Sequence, residues 1–155
     1  MGNNKYNKYL DISRELSIID NEIFNGEIMT DALEHIKELH SDADIRDLEK
    51  RYPTLEQKRA TSFEHFIDIE EIVTDVLKHE REFLAELYME YREGGYHDCL
   101  DDSKYVIVEK TYPCDIGYGI DNGEFRRYRT ACVVVYFYKR HVYVKTAYPD
   151  ESCVL

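Results

Sequence analysis

The chain has 155 residues, 43% of them hydrophobic, and a formal net charge of -12. Residues 1–99 carry 24 Asp and Glu against 12 Lys and Arg, whereas residues 100–155 carry eight of each. This composition excludes a disordered chain, and the lack of any apolar run near 18 residues excludes a membrane-spanning helix. An acidic field repels nucleic acid and anionic membrane and attracts basic proteins, so we expect a basic protein as partner.

The first 95 residues show helical periodicity. Apolar residues step by three and four from Tyr9 to Ile23, which predicts a first helix. Shorter helices are expected from Thr30 and from Asp44, and Pro53 ends the latter because proline clashes with a continuing helix.

A long helix is predicted next, over residues of about 55–93. Thr54 and Gln57 form a capping-box pattern, and apolar residues recur at helical spacing from Phe63 to Tyr91. The residue pair 61–62 is a weak point in the pattern. Gly94 is a natural end, because glycine adopts the left-handed conformation that follows many helices.

The last third of the chain has a period of two, which indicates strands. Four strands are expected, at 104–110, 112–120, 127–138 and 141–148, with a tight turn at Asn122-Gly123. We therefore predict an α+β fold in which N-terminal helices pack on a C-terminal four-stranded antiparallel sheet. The prediction is one domain, 1–155, with an acidic helical part, 1–95, and a β-meander, 103–149.

The cysteines, Cys99, Cys114, Cys132 and Cys153, contain no CxxC pair, and the N-terminal residues lack the apolar core of a secretory signal. Free thiols in a reducing compartment are therefore expected, and a cytoplasmic location with them. No metalloprotease motif follows His79-Glu80, and neither a GxSxG nor a nucleotide-binding fingerprint occurs. We expect no catalytic residue, no metal and no cofactor.

A row of carboxylates follows the predicted long helix in steps of three and four, which keeps them on one side, and Lys78 fills the one gap in the row, between Asp75 and Glu82. Its members are Glu64, Asp68, Glu71, Asp75, Glu82, Glu86, Glu90 and Glu93. Neighbouring carboxylates at this spacing, about 5–6 Å, resemble the phosphates of a nucleic-acid strand. One interpretation is a nucleic-acid mimic that occupies a basic cleft. The other is the solvated face of an amphipathic helix.

Tyrosines mark the outer face of the predicted sheet. Strand 127–138 leaves Tyr136 and Tyr138 on the face away from the helices, with Tyr143 or Tyr148 near them across the hairpin. Tyrosine suits protein interfaces because its ring gives contact area at a small entropy cost. Whether this face contacts a partner or is covered by another part of the chain stays open.

A basic cluster accompanies these tyrosines: Arg126, Arg127, Arg129, Lys139 and Arg140, with His141. Helices followed by a meander that ends in 144–149 (VKTAYP) resemble the small ribonuclease toxins of the barnase–colicin–RelE type. The resemblance implies RNA cleavage by helical His or Lys residues, for which His79 and His97 are candidates. The net charge of -12 argues against RNA binding.

We favour a small acidic inhibitor of a nucleic-acid-handling enzyme that occupies a basic cleft by charge mimicry. In composition the chain resembles anti-CRISPR and anti-restriction inhibitors of phages and mobile elements, and immunity proteins of nuclease toxins. The expected partner-binding residues are Glu64, Asp68, Glu71, Asp75, Glu82, Glu86 and Glu90, with Tyr136, Tyr138 and Tyr143. The expected partner is a basic nucleic-acid-binding protein such as a nuclease, without direct binding to nucleic acid or membrane. The alternatives are a ribonuclease toxin and an adaptor whose acidity serves only solubility.

Overall fold

The computed structural model describes residues 14, 16–21, 36, 59–93, 105–138 and 141–151. Residues 16–21 are helical, within the first predicted helix, and Ile36 is helical within the second. The predicted helix from Asp44 lies outside the described residues. The further elements are β1 (Arg59–Phe63), α1 (Ile69–His79), α2 (Arg81–Glu93), β2 (Val106–Thr111), β3 (Gly117–Asp121), β4 (Glu124–Tyr128), β5 (Thr130–Tyr138) and β6 (His141–Asp150). The fold is α+β, as predicted.

The strands form two three-stranded antiparallel sheets instead of the single four-stranded sheet that was predicted. The first sheet has the order β1-β3-β4 and the second has the order β2-β5-β6. The predicted strand 127–138 divides at Arg129, between β4 and β5. There the carbonyls of Tyr128 and Arg129 accept hydrogen bonds from the amides of Ile116 and Tyr112, which fixes the crossing from one sheet to the other.

The predicted helix over 55–93 is wrong at both its start and its middle. Residues 59–63 form β1, which pairs antiparallel with β3 in the register Phe63↔Gly117. The helix α1 begins only after Asp68, whose side chain accepts a hydrogen bond from the amide of Glu71 at 3.1 Å. Glu80 then interrupts the helical backbone with φ -104° and ψ 16°, and α2 begins at Arg81.

The main core lies between α1, α2 and one face of the second sheet, which we call the inner face. On β5 the inner face carries Ala131, Val133, Val135 and Phe137, all buried. The helices contribute Val76, Leu77, Leu84 and Tyr88. Ile19 and Ile36 join the same cluster, so the N-terminal helical segment packs there as well. The opposite face of the sheet is called the outer face below.

Two glycines of the first sheet, Gly117 and Gly123, occupy positions that a larger residue would strain. A Cβ at Gly117 would lie 2.4 Å from Pro149 Cβ and 2.8 Å from the Ser62 carbonyl oxygen. The end of β6 therefore lies directly against β3. The turn between β3 and β4 has φ 51° at Asn122 and φ 82° at Gly123, and this left-handed conformation confirms the predicted Asn-Gly hairpin.

The cysteines differ from the expectation of four free thiols. Cys132 is disulfide-bonded, and its partner lies outside the described residues. Cys114 is free and exposed. Within the described ranges, no helix is both long enough and apolar enough to cross a membrane.

Candidate functional site

A surface groove runs between the N-terminal half of α1 and the segment 112–116, which links β2 to β3. It is lined by Phe66, Ile67, Asp68, Glu71, Ile72, Asp75, Tyr112, Cys114 and Ile116. We call it the α1 groove. Its lining mixes an apolar surface with three carboxylates, and Phe66 is 60% exposed beside it. Such a mixture suits a ligand that has both an apolar stem and a positive charge.

Asp75 ties the two walls of the α1 groove together. Lys110 Nζ on β2 and the Tyr112 hydroxyl each donate a hydrogen bond to Asp75 Oδ2 at 2.7 Å. These hydrogen bonds, first that of Lys110 and then that of Tyr112, lower the pKa of Asp75. Burial and the hydrogen bond to Asp75 raise the pKa of Tyr112. Asp75 therefore stays ionised and Tyr112 stays protonated at neutral pH.

Three of the predicted partner-binding carboxylates have structural roles within the chain. Asp68 caps α1, Asp75 binds Lys110 and Tyr112, and Glu64 lies 3.4 Å from Arg127. The others, Glu71, Glu82, Glu86 and Glu90, are exposed on α1 and α2. Within the described part of the chain, no cationic side chain lies within 4.0 Å of these four. These four carboxylates therefore contribute unpaired negative charge to the surface of α1 and α2.

The outer face of the second sheet carries a cluster of stacked tyrosines, as the sequence predicts for Tyr136 and Tyr143. Their rings stack at 5.3 Å between centroids with an interplanar angle of 18°. Tyr105 contacts Tyr136 edge-on at 5.6 Å. We call these three residues the tyrosine cluster. Tyr138 pairs with His141 in the strand register, and its side chain is not among the described ones. Tyr148 lies further along β6, where it pairs with Cys132.

Two titratable side chains border the tyrosine cluster. Lys145 Nζ lies 4.0 Å from the centroid of the Tyr105 ring, and the His141 ring lies 6.1 Å from that of Tyr143. Lys145 falls at a register shift between β5 and β6, where Val134 pairs with Thr146 and Val135 with Val144. This bulge puts an extra residue in β6, and bulges of this kind redirect side chains. The positive charge of Lys145 thereby comes to lie over the ring of Tyr105.

The predicted site residues therefore fall on two surfaces. Side chains alternate along a strand, so Tyr136 points away from the inner face on which Phe137 meets Tyr88. The helices and the α1 groove lie on the inner side of the sheet and the tyrosine cluster lies on the outer side. Sequence reasoning missed Phe66 and Tyr112 in the groove, and no local pattern marks Asp75 and Lys110 as neighbours across 35 positions.

Most of the predicted basic cluster is paired with carboxylates of the chain. Arg126 lies 3.3 Å from Glu124, and Arg129 lies 3.2 Å from Asp115. Arg127 contacts Glu64, as above. Lys139 and Arg140 lie outside the described residues. The cations at 126–129 therefore belong to local ion pairs.

Two of the described histidines, His79 and His141, lie on opposite sides of the second sheet. His79 is at the end of α1 and lies 3.8 Å from the neighbouring Glu80, and it is on the helical side of the second sheet. His97 lies outside the described residues. Within the described ranges, no group of three or more His, Cys, Asp or Glu is placed to hold a metal ion.

Comparison with known proteins gives a fold likeness. No family model matches the chain, and no curated protein matches it. Among solved structures, the chain is similar to one in the crystal structure of a CdiA-CT/CdiI complex from Y. kristensenii 33638. The TM-score is 0.54, and the match covers 74% of this chain and 96% of that one. The sequence identity is 15%, so the likeness concerns the fold.

Proposed function

We propose that the protein is an inhibitor of the immunity-protein kind, which binds a basic nuclease and blocks it. The observation that carries the proposal is the excess of negative charge on α1 and α2, where residues 69–93 hold eight Asp and Glu against three Lys and Arg. Four of these carboxylates, Glu71, Glu82, Glu86 and Glu90, are exposed and have no cation within 4.0 Å among the described residues. The fold likeness to a chain of a CdiA-CT/CdiI complex, a toxin–immunity pair, supports a protein partner of this class.

The proposed mechanism uses the helical side of the molecule. A negative field from α1 and α2 raises the rate at which a basic partner arrives and discriminates against acidic proteins. Short-range contacts then hold the complex, because buried aromatic anchors give most of the binding energy at interfaces. The protein itself performs no chemistry in this proposal, and it inhibits by covering the basic cleft that binds the partner's nucleic-acid substrate.

The test is affinity capture from the native host with the tagged protein, followed by purification of the captured protein and assay of its nuclease activity. We expect a basic nuclease that is blocked by the chain, with an association rate that falls about tenfold or more between low and high salt because the steering is screened. The proposal would be contradicted by a captured partner that is acidic or has no nuclease activity. An association rate that does not change with salt concentration would contradict it as well.

A second candidate function is a small ribonuclease, and the tyrosine cluster favours it. Stacked rings with a cation beside them can bind unpaired bases and phosphate. Here Lys145 lies over Tyr105 and His141 lies beside Tyr143.

Cleavage of RNA by the pure protein tests this second function. If it is a ribonuclease, it should degrade single-stranded RNA without any partner, and His141→Ala or Lys145→Ala should reduce the rate by about 10²-fold or more, as loss of an acid–base group does. His79, the candidate that the sequence resemblance implied, lies on the other side of the sheet from the tyrosine cluster. His79→Ala is therefore the control, and on this geometry it should leave the rate unchanged. No cleavage by the pure, folded protein would reject this function and leave the inhibitor in place.

A further inference from the structure

We propose that the α1 groove receives one arginine side chain of the basic partner. This inference rests on the proposed inhibitor function and deepens it, since it names where the partner is held after electrostatic steering. Three features of the groove carry it: an exposed aromatic ring, an apolar floor, and two carboxylates with unused capacity to accept hydrogen bonds.

The apolar part of the groove fits the stem of a long cationic side chain. Ile72 and Ile116 are buried at its base, and Ile67 is half-buried beside them. Phe66 is 60% exposed, more than Phe83 and Phe125, the other large hydrophobic side chains exposed in the described ranges. The methylene groups of an arginine can cover this surface while its guanidinium stays at the rim. A guanidinium also stacks favourably on an aromatic face such as that of Phe66.

The carboxylates select for positive charge. Both hydrogen bonds to Asp75 end on Oδ2, so Oδ1 has no donor within the described part of the chain. Glu71, one turn earlier on α1, has no cation within 4.0 Å there. These two residues are spaced i, i+4 and lie on one face of the helix. A guanidinium offers five donors in a planar fork and can bridge two carboxylates, whereas an ammonium acts as a point charge.

The α1 groove is therefore assigned to an arginine side chain, and charge complementarity favours arginine over the alternatives. An acidic peptide would face three carboxylates at the rim, and Lys110 is already bound to Asp75. A purely apolar segment would leave Glu71 and Asp75 Oδ1 without partners on desolvation, which is costly.

A first experiment needs no partner. The ¹⁵N-labelled protein is titrated with N-acetyl-arginine amide and, separately, with N-acetyl-lysine amide, and the amide resonances are followed. We expect the arginine probe to shift Phe66, Glu71 and Ile116, with weak affinity. Phe66→Ala should weaken its binding about fivefold, as loss of a cation–π contact does, whereas Phe83→Ala should leave the affinity unchanged. Shifts spread over α2, equal effects of the two variants, or equal binding of lysine would overturn the assignment.

A second experiment uses the captured partner and separates this inference from the proposed function. Phe66→Ala and Glu71→Gln should each raise the dissociation rate about tenfold, since they remove short-range contacts. Phe83→Ala should leave this rate unchanged, and Glu86→Gln should act mainly on the association rate. If the nuclease is inhibited and both groove variants dissociate at the wild-type rate, the groove assignment is wrong while the inhibitor function stands. If nothing basic is captured, the proposed function fails, and the arginine titration still decides the chemistry of the groove.

Discussion

Asp75 is the residue that links α1 to the second sheet, and its ionisation should be visible in stability. Asp75→Asn removes the charge that Lys110 and Tyr112 bind, so we expect a loss of about 1 kcal/mol at pH 7, the size of a partly exposed ion pair. The folded-state pKa of Asp75 is lowered, so its contribution is present above the unfolded pKa of about 4 and is lost as pH falls through the lower folded value.

Urea unfolding of both proteins at pH 7 and at about pH 2.5 measures this difference. The gap in the free energy of unfolding should shrink at the lower pH, because the carboxylate is then protonated in the unfolded state and its ionisation on folding costs free energy. Glu71→Gln is the matched control on the same helix and should cost little at either pH. A gap that is the same at both pH values would show that Asp75 acts by packing and not by charge.

Gly117 gives a steric prediction at the same scale. In Gly117→Ala the new Cβ would lie 2.4 Å from Pro149 Cβ, so β3 and β6 must separate. We expect a loss of about 2–3 kcal/mol, as overpacking costs. The control is Gly123→Ala, which has open space but φ 82°, and it should lose about 1 kcal/mol through backbone strain.

Thermal or urea unfolding of these variants ranks the two effects. Gly123→Asn should be close to wild type, because asparagine tolerates the left-handed conformation. If Gly117→Ala lowered the free energy of unfolding no more than Gly123→Ala does, the contact between β3 and β6 would not be tight.

At the scale of elements, α2 owes its position to one buried stripe. Leu84 is completely buried, whereas the adjacent Phe83 is 45% exposed. Leu84→Ala should therefore cost about 2–5 kcal/mol, as large-to-small changes in cores do, while Phe83→Ala should stay within about 0.5 kcal/mol of wild type. Chemical denaturation of the pair measures this contrast. Similar losses in the two variants would mean that α2 does not pack through Leu84.

Elements whose own residue types or periodicity indicate their structure could be predicted from the sequence. Elements that depend on pairing with residues far away in the chain could not. Asn122-Gly123 carries its turn in its own residue types, and β6 has a clear period of two. Residues 59–63 carry no period, and the capping-box pattern before them favours a helix, so only their pairing with β3 makes them a strand. The break at Arg129 likewise depends on hydrogen bonds from Tyr112 and Ile116, which no local pattern shows.

The candidate site follows the same division. Period-two alternation predicted Tyr136 on the outer face with Tyr143 or Tyr148 near it, and the structure stacks Tyr143 on Tyr136. The α1 groove could not be found this way, because it requires Asp75 to meet Lys110 and Tyr112 across the sheet. The helical spacing of the carboxylate row gave no sign that Glu64, Asp68 and Asp75 bind groups within the fold. Glu64 binds Arg127, Asp68 caps α1, and Asp75 binds Lys110 and Tyr112.

For the whole molecule, the second sheet separates two chemistries. The helical side carries the carboxylate surplus and the α1 groove, and the outer face carries the tyrosine cluster with Lys145 and His141. The inhibitor proposal uses the first side and the ribonuclease proposal uses the second. A net charge of -12 lowers the stability of the folded protein through self-repulsion. Variants of the acidic residues can therefore show whether this charge serves binding.

Glu86 tests whether that charge serves binding or only solubility. It lies between Glu82 and Glu90 at i, i+4 spacing on α2, and like charges at this spacing destabilise a helix. Glu86→Gln should therefore stabilise the protein by about 0.5 kcal/mol at low salt, and by less at high salt because the repulsion is screened. Glu64→Gln, which loses the contact with Arg127, should not be stabilising. If Glu86→Gln gains stability while its association with the captured nuclease slows, the acidic face is retained for binding at a cost in stability. A gain in stability with an unchanged association rate would instead assign the charge to solubility.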